Sequence, residues 1–311
     1  MMVWIPHEHG LGLLGELPSG VSVKVYPGPV GGADPPLPGD PAAVELWVPP
    51  FLAQGRVVEL AGRMPGLRVV QLLTAGADAW VDRLPGTVTL CDASGVHDSA
   101  TSEWVMAAIL AHLRDFPAFV RAQGRREWSY QAYAPTDELA GKRVLVVGAG
   151  SIGQALSARL APFEVEVVRV ARRARDGVHA VHELPELLPR ADVVVLIVPL
   201  TAQTEGMVDA GFLRRMPDGA LLVNAARGPV VDTAALTREL ATGRIAAAMD
   251  VVEPEPLPAE HPLWTMPNAL LTPHVAGSVR GFLPRAYRLV GEQLRRYCAG
   301  QPLVNQVADG Y

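Results

Sequence analysis

Three segments of the chain carry residue types that could do redox chemistry on an acid: Arg227 in Asn224-Ala225-Ala226-Arg227-Gly228, Glu253 and Glu255 in Asp250-Val251-Val252-Glu253-Pro254-Glu255-Pro256, and His274 in Thr272-Pro273-His274-Val275-Ala276-Gly277. An arginine can hold a substrate carboxylate and polarise the neighbouring carbonyl. A histidine can give that carbonyl oxygen a proton while hydride arrives from a nicotinamide. A carboxylate beside the imidazole favours its charged form and fixes its orientation. Singly, each residue is as well explained as a surface arginine, a loop acid or a core histidine. What singles them out together is their place after three apolar runs that read as strands, because ligands of open parallel sheets bind beyond the carboxyl ends of the strands.

A fourth segment names the hydride source. Arg143-Val144-Leu145-Val146-Val147 is an apolar strand running into Gly148-Ala149-Gly150-Ser151-Ile152-Gly153 and then a helical stretch, Gln154 to Leu160. In this context the first glycine permits a tight turn, the second lets a pyrophosphate approach the backbone, and the third lets the helix pack on the strand. The free N–H groups at the helix start would receive the phosphates. An acidic residue about 20 positions on would select NAD. The following strand instead runs into Ala171-Arg172-Arg173-Ala174-Arg175. Guanidinium groups grip a 2′-phosphate that a carboxylate would repel, so NADP(H) is preferred. NAD(H) is the alternative, with Asp176 or a shifted Glu166 supplying the acid.

These segments need a scaffold, and the chain supplies two. Short apolar runs at Val3 to Ile5, Val21 to Tyr26, Val44 to Val48, Leu67 to Leu73 and Val88 to Leu90 predict a small parallel α/β unit, with a helix over Phe51 to Arg63. Pro27 to Pro41 is rich in Gly and Pro and is given no structure. From Ser99 an apolar helical face runs to near Pro117, and a polar, aromatic link carrying Trp128, Tyr130, Tyr133 and Pro135 follows. A second strand series then covers Val144 to Gly148, Val165 to Val170, Val193 to Val198, Ala220 to Asn224, Ile245 to Asp250 and Ala269 to Thr272. A last amphipathic helix, Leu283 to Ala299, is expected to return to the first unit.

Composition narrows the classes. With 311 residues, 49% of them hydrophobic and 19% charged, the chain is expected to fold as two cores. Its 27 basic and 32 acidic side chains are dispersed, which disfavours nucleic-acid binding. The most apolar run, Val193 to Val198, is too short to cross a membrane, and the opening residues lack a signal-peptide pattern. Cys91 and Cys298 are too few for a disulfide framework or a zinc site, so a cytoplasmic setting and no metal are expected.

The motifs together resemble the D-isomer-specific 2-hydroxyacid dehydrogenases over nearly the whole chain. To those quoted are added Val198-Pro199-Leu200-Thr201, Leu73-Thr74-Ala75-Gly76-Ala77-Asp78 and Gly95-Val96-His97. The resemblance implies two doubly wound parallel-sheet α/β domains: a flavodoxin-like substrate domain, residues 1–98 and 282–311, and an inserted Rossmann cofactor domain, residues 99–281. It implies that Arg227 binds substrate, that His274 is the acid/base and Glu255 its partner, and that backbone N–H groups of Thr74, Ala75, Gly76 and Ala77 receive the substrate carboxylate. Glu253 competes with Glu255, since each precedes a proline. The cofactor would be held by Gly148, Gly150, Ser151, Ile152 and Gly153, by Arg172 and Arg173, by Pro199 and Thr204, by Ala225 and Ala226, and by Asp250 and Gly277. Asp250 would bond the nicotinamide carboxamide. The arginines after the strand depart from the aspartate common in the family and are similar to NADP-dependent glyoxylate and hydroxypyruvate reductases. A homodimer is implied, with the helix from Thr101 in its interface. Two alternatives are a relative using another hydride donor, such as formate or phosphite, and a dinucleotide-sensing corepressor-like protein.

Overall fold

Strands with apolar side chains on both faces need cover on both, and the central strands of both sheets have it among the described residues. The computed structural model describes residues 1–29, 35–53 and 55–307. The stretch Pro27 to Pro41 therefore falls partly outside the described residues, as do one position of the helix expected over Phe51 to Arg63 and the last four residues of the expected substrate domain. The fold is α/β with two parallel sheets. By compactness the chain divides into a first unit, Met1–His97 with Arg280 onward, and a second, Asp98–Val279, inserted into it along the chain.

Among the described residues the first unit has five strands: β1 (Met2–Ile5), β2 (Ser22–Val25), β3 (Val44–Trp47), β4 (Val69–Gln71) and β5 (Thr89–Cys91). They pair in parallel in the order β2-β1-β3-β4-β5, the flavodoxin-like winding. Val3 and Ile5 face one core with Leu46 and Val69, while Trp4 faces the other with Trp47 and Val70. The closing helix, Phe282–Cys298, lays Ala286, Tyr287, Val290 and Leu294 on the first of these faces. It returns to the first unit as its amphipathic spacing predicts.

The second unit has β6 (Arg143–Val147), β7 (Glu166–Ala171), β8 (His179–Ala180), β9 (Val193–Leu196), β10 (Leu221–Asn224), β11 (Ala246–Met249) and β12 (Ala269–Leu271). Their order is β12-β11-β10-β9-β6-β7-β8, all parallel. The winding reverses between β6 and β9, so the loop after β6 lies at the switch point, where dinucleotides bind in such folds. Val144 and Val146 face one core and Leu145 and Val147 the other. This double cover explains why the strands read as continuous apolar runs.

Some local expectations are corrected. The long helix runs Asp98–Leu113 and ends before Pro117, which instead sits in the first turn of a separate helix, Phe116–Gly124, where its missing N–H costs nothing. The aromatic link contains one helical turn, Tyr130–Tyr133. The helix expected from Phe51 is only Arg56–Glu59 followed by a 3-10 turn, Leu60–Arg63. The two-residue β8 is too short to show a period in sequence.

Candidate active site

Arg227, Glu255 and His274 all lie in the second unit, past the carboxyl ends of the adjacent strands β10, β11 and β12. A buried polar residue at a strand end builds each turn. Asn224, fully buried at the end of β10, accepts from Ala226 N–H at 3.0 Å and donates to the Arg227 carbonyl at 3.1 Å. This pulls the backbone into a tight turn that presents Arg227, half-buried, with Nη1 donating to the Ala226 carbonyl at 2.8 Å. The next residue must be glycine, because a Cβ on Gly228 would overlap the Val252 carbonyl.

Asp250, 3% exposed just past β11, does the same for His274. Its Oδ1 accepts from Thr272 Oγ1 at 2.6 Å and Val275 N–H at 2.9 Å, and its Oδ2 accepts from Ala276 N–H at 2.8 Å. The Asp250 carbonyl accepts the His274 N–H at 2.7 Å. These bonds hold His274 at φ +54°, a left-handed conformation uncommon outside glycine and asparagine, which persists only where the surroundings over-determine it. Of the two competing acids, Glu255 is the one beside the imidazole, with Oε1 at 2.8 Å from Nδ1. A carboxylate there accepts a hydrogen bond from Nδ1–H, which leaves Nε2 as the nitrogen able to exchange a proton with a ligand. Glu253 is exposed on the same loop.

The glycine loop after β6 fits a dinucleotide. Gly148 has φ +119°, and a Cβ on it would overlap the Ile197 carbonyl; a Cβ on Gly153 would overlap the Gly148 carbonyl. At Gly150 a Cβ would meet nothing within 4 Å, so the backbone is open where a phosphate would approach the start of the helix Ser151–Leu160. Beyond β7, Arg172 and Arg173 are exposed. Arg175 adds a contact that the sequence did not disclose, its Nη2 donating to the Ala149 carbonyl of the glycine loop at 2.8 Å. Glu166 opens β7, pairs in register with Arg143 and bonds its Nη2 at 2.7 Å, so it sits at the amino end of the sheet and cannot be the missing ribose acid.

The family model for the NAD-binding domain of D-isomer specific 2-hydroxyacid dehydrogenases matches residues 106–276. The chain belongs to that family. It is an NAD(P)-dependent oxidoreductase of the D-2-hydroxyacid dehydrogenase type. Among its relatives, the glyoxylate reductase of Thermofilum pendens is 34% identical over 78% of this dehydrogenase and 75% of that protein. A D-isomer specific 2-hydroxyacid dehydrogenase from Xanthobacter autotrophicus Py2, solved with NADPH and MES, is 34% identical with a TM-score of 0.82, covering 99% of this chain and 97% of that one. An NADPH-dependent glyoxylate/hydroxypyruvate reductase from Sinorhizobium meliloti, solved with NADP and sulfate, is 28% identical with a TM-score of 0.82, covering 98% and 97%.

The remaining expected residues of the dehydrogenase fall as follows. Thr204 turns its hydroxyl inward, donating to the Pro199 carbonyl at 2.6 Å and accepting from Thr201 N–H at 2.9 Å, so it closes the loop after β9. Ala225 is half-buried and Ala226 buried in the Asn224 turn, and Gly277 ends the His274 turn. In the first unit, Thr74 to Ala77 follow β4; Thr74 Oγ1 donates to the Gly76 carbonyl at 2.7 Å, and the Thr74 carbonyl accepts Ala93 N–H at 2.8 Å. Among the described residues no helix is long and apolar enough to cross a membrane, and no group of three or more His, Cys, Asp or Glu could hold a metal ion. Asn224 and Asp250 hold the turns that carry Arg227 and His274; the motifs named Asp250 for the nicotinamide carboxamide but did not disclose this support. Their signal in the sequence is a side chain that can bond backbone N–H groups, placed where an apolar strand stops.

Proposed function

We propose that this chain is an NADP(H)-preferring reductase of small 2-oxo acids to D-2-hydroxy acids, with glyoxylate and hydroxypyruvate as the first candidates. The observation that carries the reading is the His274–Glu255 pair, 2.8 Å apart, held on the same sheet edge as the Arg227 turn. When bound, the reduced nicotinamide supplies hydride to the carbonyl carbon. Arg227 binds the substrate carboxylate and polarises the carbonyl. His274 passes the proton on Nε2 to the carbonyl oxygen, and Glu255 keeps Nδ1–H in place and stabilises the imidazolium. Backbone N–H groups of Thr74 to Ala77 receive the carboxylate. The second unit, Asp98–Val279, where residues 99–281 are expected from sequence, binds the cofactor, and the first binds the substrate.

Two observations support the preference for NADP(H). Directly after β7 stand Arg172, Arg173 and Arg175, and the first acid, Asp176, comes only beyond them. The relatives from X. autotrophicus and S. meliloti were solved with NADPH and NADP. A homodimer is part of the proposal, with the helix from Thr101 expected in its interface; beyond that helix in the chain, Phe116, Val120, Trp128 and Tyr130 are 56%, 65%, 97% and 65% exposed, apolar side chains that a second copy could cover. The two free cysteines fit a reducing, cytoplasmic setting.

The test is a panel of glyoxylate, hydroxypyruvate and pyruvate against NADPH and NADH, followed by the loss of reduced-nicotinamide absorbance. Turnover with NADPH is expected; no turnover with any pair while the cofactor binds would refute the catalytic assignment. In Ala171→Asp the NADPH/NADH preference should fall by about tenfold or more, because a carboxylate then faces the 2′-phosphate. An unchanged ratio would mean that the end of β7 does not select the cofactor.

A further inference from the structure

In the first unit, β4 and β5 are neighbours, and the segments leaving their carboxyl ends run side by side. Leu72 N–H donates to the Cys91 carbonyl at 2.8 Å, and Ala93 N–H donates to the Thr74 carbonyl at 2.8 Å. Between these two ties lies the carbonyl of Leu73, a residue only 2% exposed. A buried carbonyl needs a donor, and it finds one in His97, 6% exposed, whose Nε2 lies 2.8 Å away. A carbonyl can only accept, so Nε2 carries the hydrogen.

His97 is itself fixed on two sides. Its ring stacks on Phe282, with centroids 5.1 Å apart and planes at 27°, and Phe51 lies beyond at 6.1 Å. The preceding residue is pinned by Arg285, whose Nε donates to the Val96 carbonyl at 2.9 Å. Phe282 and Arg285 belong to the closing helix, so the imidazole is set by a rigid element rather than by the loop it touches.

The consequence follows from peptide geometry. The Leu73 carbonyl and the Thr74 N–H belong to one trans peptide and point in opposite directions. Gripping the oxygen on the His97 side aims the N–H to the other side, and a hydrogen bond on the oxygen polarises the peptide so that its N–H becomes a better donor. We propose that His97 is a positioning residue for substrate carboxylate binding, acting through the Leu73–Thr74 peptide. The proposal rests on the reading that the Thr74 to Ala77 backbone receives that carboxylate.

His97→Phe keeps a ring to stack on Phe282 but has no donor, while His97→Gln places an amide N–H where Nε2 stands. With NADPH and the best 2-oxo acid of the panel, His97→Phe should raise KM about tenfold and leave kcat within about threefold, because a contact made equally in ground and transition states appears in KM. The NADPH dissociation constant should not move, and His97→Gln should return KM to within about threefold of the parent. An unchanged KM in His97→Phe, or a rise that His97→Gln shares in full, overturns the proposal in favour of plain packing. If the Phe variant folds poorly, judged by its melting temperature, His97→Met serves as the donor-free variant under the same criteria. Ala75→Pro, which deletes one N–H of the loop, separates the two ideas. If it raises KM and His97→Phe does not, the role of His97 alone is wrong; if it leaves KM unchanged, the carboxylate reading of the loop fails and the proposal falls with it.

Discussion

His274 and His97 both follow the carboxyl end of a strand, one in each parallel sheet, yet they are held in opposite ways. His274 has a carboxylate on Nδ1 at 2.8 Å and keeps its side chain 23% accessible. His97 is 6% exposed, stacked on a phenylalanine, and bonded through Nε2 to a carbonyl. A carboxylate stabilises an imidazolium and leaves the second nitrogen to trade its proton. A carbonyl only accepts the hydrogen bond, and the proton stays on Nε2, so the same ring becomes a strut. The difference extends to the units around them. In the proposed mechanism the second unit contributes side chains that carry charge or protons, whereas the first contributes main-chain N–H groups and the supports behind them.

That contrast breaks first at His274. His274→Ala should lower kcat by about 10² to 10⁴ while NADPH still binds, the usual worth of a positioned general acid. A variant that reduces substrate at full speed would place the proton donor elsewhere. Arg227→Ala comes next: it should cut kcat/KM by about 10² to 10³, the value of a charge-assisted pair to a carboxylate, with KM carrying much of the loss. Unaltered steady-state constants would remove Arg227 from the substrate. The smallest effect belongs to the first unit and sharpens the comparison. Burial pushes the Asp92 carboxyl up to about 6, against the opposing bond from Ser94 N–H. The folded chain thus holds this proton more tightly than the unfolded one, so the contribution of Asp92 to stability is fullest below the unfolded value near pH 4 and is lost as pH rises through about 6. Asp92→Asn should remove the decline, gaining ~1 to 3 kcal/mol in thermal melts at neutral pH and nothing at about pH 4, with kcat unchanged. A wild-type-like pH profile of melting in the variant would contradict the assignment, and a changed kcat would blur the division between the units.

Much of the frame was legible because the relevant signals are local. Gly148 to Gly153 between an apolar strand and a helix, and strand-end motifs carrying Arg227, Glu255 and His274, need only neighbours in sequence to be read. What stayed hidden depends on groups distant along the chain. Glu253 and Glu255 differ by two positions and each is followed by a proline, and only the path of the loop decides which carboxyl meets the imidazole. The conformation of His274 is imposed by Asp250, 24 positions earlier, and the contact of Arg175 with Ala149 spans 26. The end of the long helix near Pro117 is legible, but the second helix that Pro117 opens is not, because a proline reads equally well as a stop or as a first-turn residue.

The closing helix has one more implication, for how the molecule is made. Ala286, Tyr287, Val290 and Leu294 complete one face of the first sheet, yet they are encoded after the whole of the second unit. On the ribosome the amino-terminal strands therefore wait with that face uncovered while the inserted unit, contiguous in the chain, can finish its own sheet. The part synthesised first is the last to be sealed, and a chain that stalled before residue 282 would leave the exit tunnel with a finished nucleotide fold and an apolar face that chaperones would have to shield.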